Sequence, residues 1–239
     1  MGVQGHLYAG VAGFSYPAWK GGFYPPDAKP ADFLRHYAER LPSVELVGVF
    51  YRLPAEDVFQ RWAAQTPPGF RFGVKMHRRL AVGGDLQLAG AFSERVLALG
   101  ERLGAVRVQL PETRARDEGF LRFLLDSLDP SIRLAFELPH ESWERPEIDR
   151  MLGEAGAARV NTLDGGASFR YLRLREPPYE EDALRALAEQ LRPLLERGVD
   201  VYCYFKHEDD PRGARYAERL LELTSSVEGP GTPPARPSG

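Results

Sequence analysis

Charged side chains crowd the ends of the β-rich runs in this 239-residue chain. Glu45, Lys75, Gln109, Glu137 and Lys206 end such runs, and Arg52, His77, Arg78, His140, Asp164 and His207 follow just beyond them. In FRYLRL from Phe169, alternation turns Leu172 and Leu174 to one face and Tyr171, Arg173 and Arg175 to the other. Five cations, Lys75, Arg78, Arg173, Arg175 and Lys206, with Glu45 and Glu137 as partial counter-charges, suit an anionic ligand. Arginine forks grip a carboxylate or phosphate in two places, while a lysine acts as a point charge. The plain alternative is that these groups pair with one another to satisfy a polar end of the fold.

Glu45 and Glu137 also form the pair that acid/base catalysis needs, as in sugar hydrolysis, or they serve only as counter-ions holding Lys75 and the arginines. His77, His140 and His207 are three of five histidines, and with Asp164 or a glutamate they offer divalent-metal ligands. Their spacing matches no compact metal motif, so neither a bound metal nor another cofactor is expected. Aromatic residues gather around Phe14 to Tyr24 and at Phe50 and Tyr51. Phe23 and Tyr24 bracket Pro25 and suit packing, which leaves Tyr16 and Tyr51 as possible stacking contacts for a ligand. Gly83-Gly84 and Gly165-Gly166 lack the spacing of a nucleotide-binding loop, and there is no nucleophile elbow.

Eight β-rich runs supply these positions: LYAGVA from Leu7, VELVGV from Val44, FRFGVK from Phe70, AVRVQL from Ala105, RLAFEL from Arg133, ARVNTL from Ala158, FRYLRL from Phe169 and DVYCYF from Asp200. Stretches of helical periodicity separate most of them, among them DFLRHYAERL, AEDVFQRWAAQT, FSERVLALGERL and DALRALAEQLRPLLERG. The alternation predicts an α/β fold, a TIM-like (β/α)8 barrel in a single domain, whose ligand site lies at the C-terminal ends of the strands. Only Asp164 to Ser168 separate the sixth and seventh runs, too few for a helical crossover, so an irregular link is expected there. The domain is expected over residues 1–224, and the Pro/Gly-rich stretch 225–239 as a disordered tail.

A 43% hydrophobic composition supports a sizeable core, and a net charge of −3 gives no overall basic field for nucleic acid or an acidic membrane. No membrane partner and no nucleic acid are therefore expected; the partner these residues suit is a small anionic molecule. The N-terminus lacks a leader pattern, which together with the single Cys203 in the apolar run VDVYCYF suggests a cytoplasmic protein with a buried, inert thiol. Only four of the 31 basic residues are lysines, at positions 20, 29, 75 and 206.

GFSYPAWKGGFYP from Gly13 and VELVGVFYRLP from Val44, followed by FRFGVK with Arg78, VQLP ending at Pro111, FELPHESW, Asp164 and VYCYF, together resemble the YecE-like family, family 72 of the domains of unknown function. The resemblance runs from about Leu7 to Leu223 and implies a TIM-like barrel with no established activity. The chain departs from the family pattern at Val47, at Leu80-Ala81-Val82, at Pro139, at Arg175-Glu176 and at Lys206-His207. Three functions remain open. One is an enzyme that binds an anionic ligand through the cation cluster, with Glu45 or Glu137 as acid/base. The second, favoured by the departures, is a non-catalytic binding or sensor module. The third, resting on the histidines, is a metal-dependent phosphodiester hydrolase.

Overall fold

The computed structural model describes residues 4–206 and 209–225, so His207 and residues 226–239 of the expected tail lie outside the described residues. Eight strands, β1 (Leu7–Ala12), β2 (Ser43–Leu46), β3 (Arg71–Lys75), β4 (Leu103–Gln109), β5 (Arg133–Glu137), β6 (Ala158–Arg159), β7 (Phe169–Leu174) and β8 (Asp200–Phe205), form one parallel sheet in the order β6-β5-β4-β3-β2-β1-β8-β7. With its two ends side by side, this is the expected (β/α)8 barrel.

Alternation along the strands makes two cores. Outward residues such as Val11, Val44, Phe72, Val74, Val106, Val108, Phe136, Leu172 and Cys203 are buried under the helices. The inward set includes Tyr8, Tyr171, Tyr202 and Tyr204 facing Ala105, Ala135 and Ala158. Branched aliphatics usually fill such a barrel; here tyrosine rings do, Tyr8 stacked on Tyr202 with centres 5.1 Å apart and Tyr171 tilted against Tyr204 at 5.3 Å. Two glycines make room for the rings. A Cβ on Gly73 would lie 2.7 Å from the Tyr204 hydroxyl, and one on Gly104 would lie 2.6 Å from the Tyr202 ring. The hydroxyls still need partners in a dry interior. Tyr204 meets the Ser43 hydroxyl at 2.7 Å, and Ser43 donates to the Arg71 carbonyl. At the N-terminal end of the barrel Arg133 donates to Asp200 and to the Tyr202 hydroxyl.

The seam between β6 and β7 closes differently from the rest. The run from Ala158 was expected to be a full strand, but β6 ends after two residues because Asn161 takes a left-handed conformation (φ 61°). Its amide then takes the place of a ladder. The Asn161 backbone N–H donates to the Tyr171 carbonyl (2.9 Å), its side-chain oxygen accepts from the Arg173 N–H (2.6 Å), and its side-chain nitrogen donates to the Arg173 carbonyl (3.3 Å). The expected irregular link follows, organised by Arg170, whose guanidinium donates to the carbonyls of Leu163, Gly165, Ala167 and Phe169.

Helices α1 (Phe33–Ala38), α2 (Glu56–Ala64), α3 (Arg78–Ala81), α4 (Leu86–Leu97), α5 (Glu118–Asp126), α6 (Pro146–Glu154), α7 (Glu181–Glu196) and α8 (Arg212–Ser225) cover the outside. Their apolar stripes are the periodic positions of the sequence, as at Leu184, Ala188, Leu191 and Leu195 in α7. Two details differ from expectation. The sequence reading gives no helix at α3, and α4 begins at Leu86, six residues before the expected start at Phe92, because Gly90 masks the earlier turns, and ends at Leu97, since Leu103, read as the end of that helix, already begins β4. No helix among the described residues is long and apolar enough to cross a membrane.

Candidate functional site

The inward positions at the C-terminal ends of β2, β4, β5 and β7 carry one connected polar network. Glu45, with a side chain 0% exposed, accepts from Arg107 Nε (2.6 Å), from Arg173 Nε (2.9 Å) and from the Tyr171 hydroxyl (2.7 Å). Arg107 also donates to Glu137 (2.6 Å) and to Gln109 Oε1 (3.3 Å), so one guanidinium ties both carboxylates together. Glu137 further accepts two bonds from Arg175, at 2.6 and 2.9 Å, in a paired fork geometry. Buried ion pairs are tolerated only when their remaining hydrogen-bonding capacity is met; among the described residues no buried side-chain nitrogen or oxygen lacks a partner.

Electrostatics follow from this packing. Burial alone would raise the Glu45 carboxyl, but the charges of Arg107 and Arg173 and three donated hydrogen bonds outweigh it and hold the group at about 2. Burial works the same way on Glu137, and the Arg175 bonds with the Arg107 charge reverse it, so Glu137 also lies below its ordinary value. Burial opposes the charge on Arg107, and Glu45 overrides it. Lys75 behaves differently. It faces the barrel mouth at the end of β3, beside Arg107 in the sheet register, with Nζ 3.8 Å above the centre of the Phe50 ring. Partial burial and the Arg107 charge bring its ammonium down to about 8, more than Glu45 and Glu137 compensate.

Lys75, Glu45, Gln109, Glu137, Arg173 and Arg175 are thus brought together, as the sequence pattern suggested. Arg107 is the residue that sequence reasoning missed, although it sits in AVRVQL between two outward valines, two positions before Gln109, where the alternation applied to β7 points it inward. Tyr16 lies near the network: its hydroxyl donates to the Ala12 carbonyl (2.5 Å), and burial raises it to about 12, with Arg173 and Glu45 acting on it. Tyr51 and Arg52 are exposed on the loop after β2, Tyr51 edge-on to Phe50. Arg78 begins α3 and Lys206 follows β8, both exposed at this end of the barrel and outside the network. Asp164 sits exposed in the link beside Arg170.

His77 and His140 have structural duties. His77 Nδ1 accepts from the Arg79 N–H at the start of α3, and His140 Nδ1 accepts from the Ser142 N–H. Among the described residues no three His, Cys, Asp or Glu groups converge as metal ligands. Next to the network a recess of about 530 Å³ opens between β5 and α6, lined by Glu137, Glu144, Arg145, Asp149 and Arg159 among others.

Comparison with known proteins agrees with this architecture. The model of the family described as "Protein of unknown function DUF72" matches residues 8–238. A solved DUF72 family protein from Thermotoga maritima is 24% identical and superposes with a TM-score of 0.79 over 92% of this chain and 100% of its own. One from Enterococcus faecalis is 17% identical, with a TM-score of 0.77 over 95% of this chain and 99% of its own. At these identities the likeness establishes the fold. No curated protein matches.

Proposed function

The chain belongs to the DUF72 family, proteins of unknown function, and with a barrel but no reaction to inherit from it, we propose that this protein, working in the cytoplasm, binds a small anionic molecule at the barrel mouth. The observation that carries the reading is a charge surplus. Four cationic side chains, Lys75, Arg107, Arg173 and Arg175, share the barrel end with two carboxylates, Glu45 and Glu137, and only the three arginines bond to them. A barrel end that needed only internal pairing would be stabler with an apolar residue at position 75 than with a half-buried ammonium whose charge is disfavoured. A carboxylate or phosphate supplies the missing counter-charge.

The division of labour follows from exposure. Arg175 is the most open of the three arginines, at 38%, and with Lys75 it meets the ligand, while Arg78 and Lys206 add positive potential from the rim. Glu45 is sealed below and orients Arg107 and Arg173. Glu137, 13% exposed and bordering the recess, is the carboxylate able to reach a ligand as base. The second reading, a binding module without turnover, is favoured by one observation: both carboxylates already hold arginines.

The test is thermal. Phosphate or pyruvate should raise the melting temperature beyond chloride at equal ionic strength, by about 2.7 kcal/mol of stabilisation at a hundred times the dissociation constant. Lys75→Met should weaken this effect while leaving the barrel folded. If neither anion outperforms chloride on the unmodified protein, there is no anion site.

A further inference from the structure

Lys75 is placed unlike any other cation of the site. It projects into the barrel from the end of β3 and rests on the face of Phe50. Among the described residues no carboxylate comes within ion-pairing distance of it. The charged groups around it come from four other strands or strand ends: Glu45 from β2, Arg107 from β4, Glu137 from β5 and Arg175 after β7. Both carboxylates are committed to arginines, and both guanidiniums repel the ammonium. An amine kept apolar on one side, unpaired, and beside fixed positive charge is poised to lose its proton and act as a nucleophile.

Resting on the anion-binding reading, which it deepens, we propose that Lys75 forms an imine with a small aldehyde or ketone that carries a carboxylate or phosphate. The surrounding arginines hold the anionic group, Arg175 foremost, and this brings the carbonyl carbon to Nζ. The step balances without an oxidant or reductant. The lone pair of the free amine attacks the carbonyl carbon as the C=O π pair moves onto oxygen, and a proton passes from nitrogen to that oxygen to give a carbinolamine. The proton that the ammonium released to solvent returns to the hydroxyl, the C–O bond breaks, one water leaves, and the nitrogen lone pair closes the C=N bond. The protonated imine carries the single positive charge that the ammonium had.

Burial brings the Lys75 ammonium to about 8, so near that pH about half the side chain is free amine, against roughly one part in three hundred for an ordinary lysine. Lower basicity weakens the nucleophile and, on a Brønsted slope of about 0.4–0.5 like that of thiol nucleophiles, takes back about a factor of ten. A net advantage of about tenfold over an exposed lysine remains.

The chain has only four lysines, and Lys20, Lys29 and Lys206 are exposed, so they serve as internal references. The full-length protein is incubated at pH 8 with pyruvate and cyanoborohydride, which reduces an imine to a stable secondary amine, and each lysine is followed by peptide mass spectrometry. Lys75 should be modified about tenfold faster than the three reference lysines. Acetone, the same ketone without a carboxylate, meets the same free amine but not the arginines, so it should show at most this amine-based advantage and label Lys75 more slowly than pyruvate does. Lys75→Arg keeps the charge but cannot form the adduct, so it should retain the phosphate-induced melting shift and give no label at position 75. Labelling of Lys75 no faster than that of the exposed lysines overturns the imine. If phosphate still raises the melting temperature in that case, the anion site stands alone; if it does not, both readings fall.

Discussion

Arg107 holds two carboxylates with one guanidinium that is only 2% exposed, and replacing it with methionine is the most searching perturbation of the site. The apolar stem volume is largely kept, so cavity formation contributes little. What is lost is the 2.6 Å bond to Glu45 and the 2.6 Å bond to Glu137, with the longer 3.3 Å bond to Gln109. Breaking a buried pair by removing one partner costs about 3–5 kcal/mol, because the other charge is left buried. Glu45 keeps Arg173 and Tyr171, and Glu137 keeps Arg175, which places the expected loss near 3 kcal/mol. Adding Glu45→Gln also takes the carboxylate from the buried Arg173, so the double variant should be less stable than either single one but by less than the sum of the two losses, with a coupling of roughly 1–3 kcal/mol.

The pH dependence carries an independent sign. Glu45 lies at about 2 in the folded protein against an ordinary 4.5. A depressed carboxylate contributes stability that is complete above the ordinary value and is lost as pH falls through the folded one, here between 4.5 and 2. Without Arg107 the folded value rises toward the ordinary one, so less is lost on acidification. The stability gap between the unmodified protein and Arg107→Met, measured by urea denaturation at pH 7 and pH 3, should therefore narrow at the lower pH. A gap below about 1 kcal/mol at pH 7, or one that widens in acid, would refute the idea that Arg107 is the hub of the network.

Two further expectations concern the scaffold that holds it. Asn161→Ala removes both side-chain bonds across the β6–β7 seam and leaves a non-glycine residue at φ 61°, so it should lower stability by about 1–3 kcal/mol. Asn161→Gly relieves the backbone and should recover only part of this; full recovery would mean that the amide does not close the barrel. Gly73→Ala puts a methyl group 2.7 Å from the Tyr204 hydroxyl and should cost about 1–3 kcal/mol by overpacking, while Gly69→Ala, with open space around it, should leave the melting temperature nearly unchanged.

The barrel was legible because its two signals are local. Period-two runs such as FRYLRL and DVYCYF became strands with the bounds read from the sequence, and the five-residue gap at Asp164 marked the irregular link. What stayed hidden depends on tertiary context. ARVNTL has strand composition throughout, yet Asn161 turns the chain after two paired residues, and nothing in the run itself says that an amide will replace a ladder. Arg170 reads as one more surface arginine on the outward face of β7; only the looped path of residues 163–169 gathers four carbonyls around it. Arg107 was within reach of the alternation argument, but a single charge flanked by valines in the middle of a run draws less attention than charges at its end.

That omission bears on what the site is for. The five cations first grouped by position divide once Arg107 is added: Arg107, Arg173 and Arg175 bind the two carboxylates, and Arg78 and Lys206 stand at the rim. Internal pairing accounts for the three arginines completely, because Glu45 and Glu137 between them accept every short bond those guanidiniums make to carboxylates. It does not account for Lys75. An ammonium there opposes its own burial and its neighbour Arg107, and a leucine or methionine on Phe50 would avoid both costs. A charge that the pairing scheme leaves over, at the end of a barrel where such folds place their ligands, is the feature that separates a site from a plug, and position 75 is therefore where the two accounts of this barrel make opposite forecasts. Under the plug account Lys75→Met stabilises the protein and phosphate changes nothing with or without the substitution; under the site account the substitution also relieves the buried charge, but phosphate stabilises the unmodified protein and does so less in the variant.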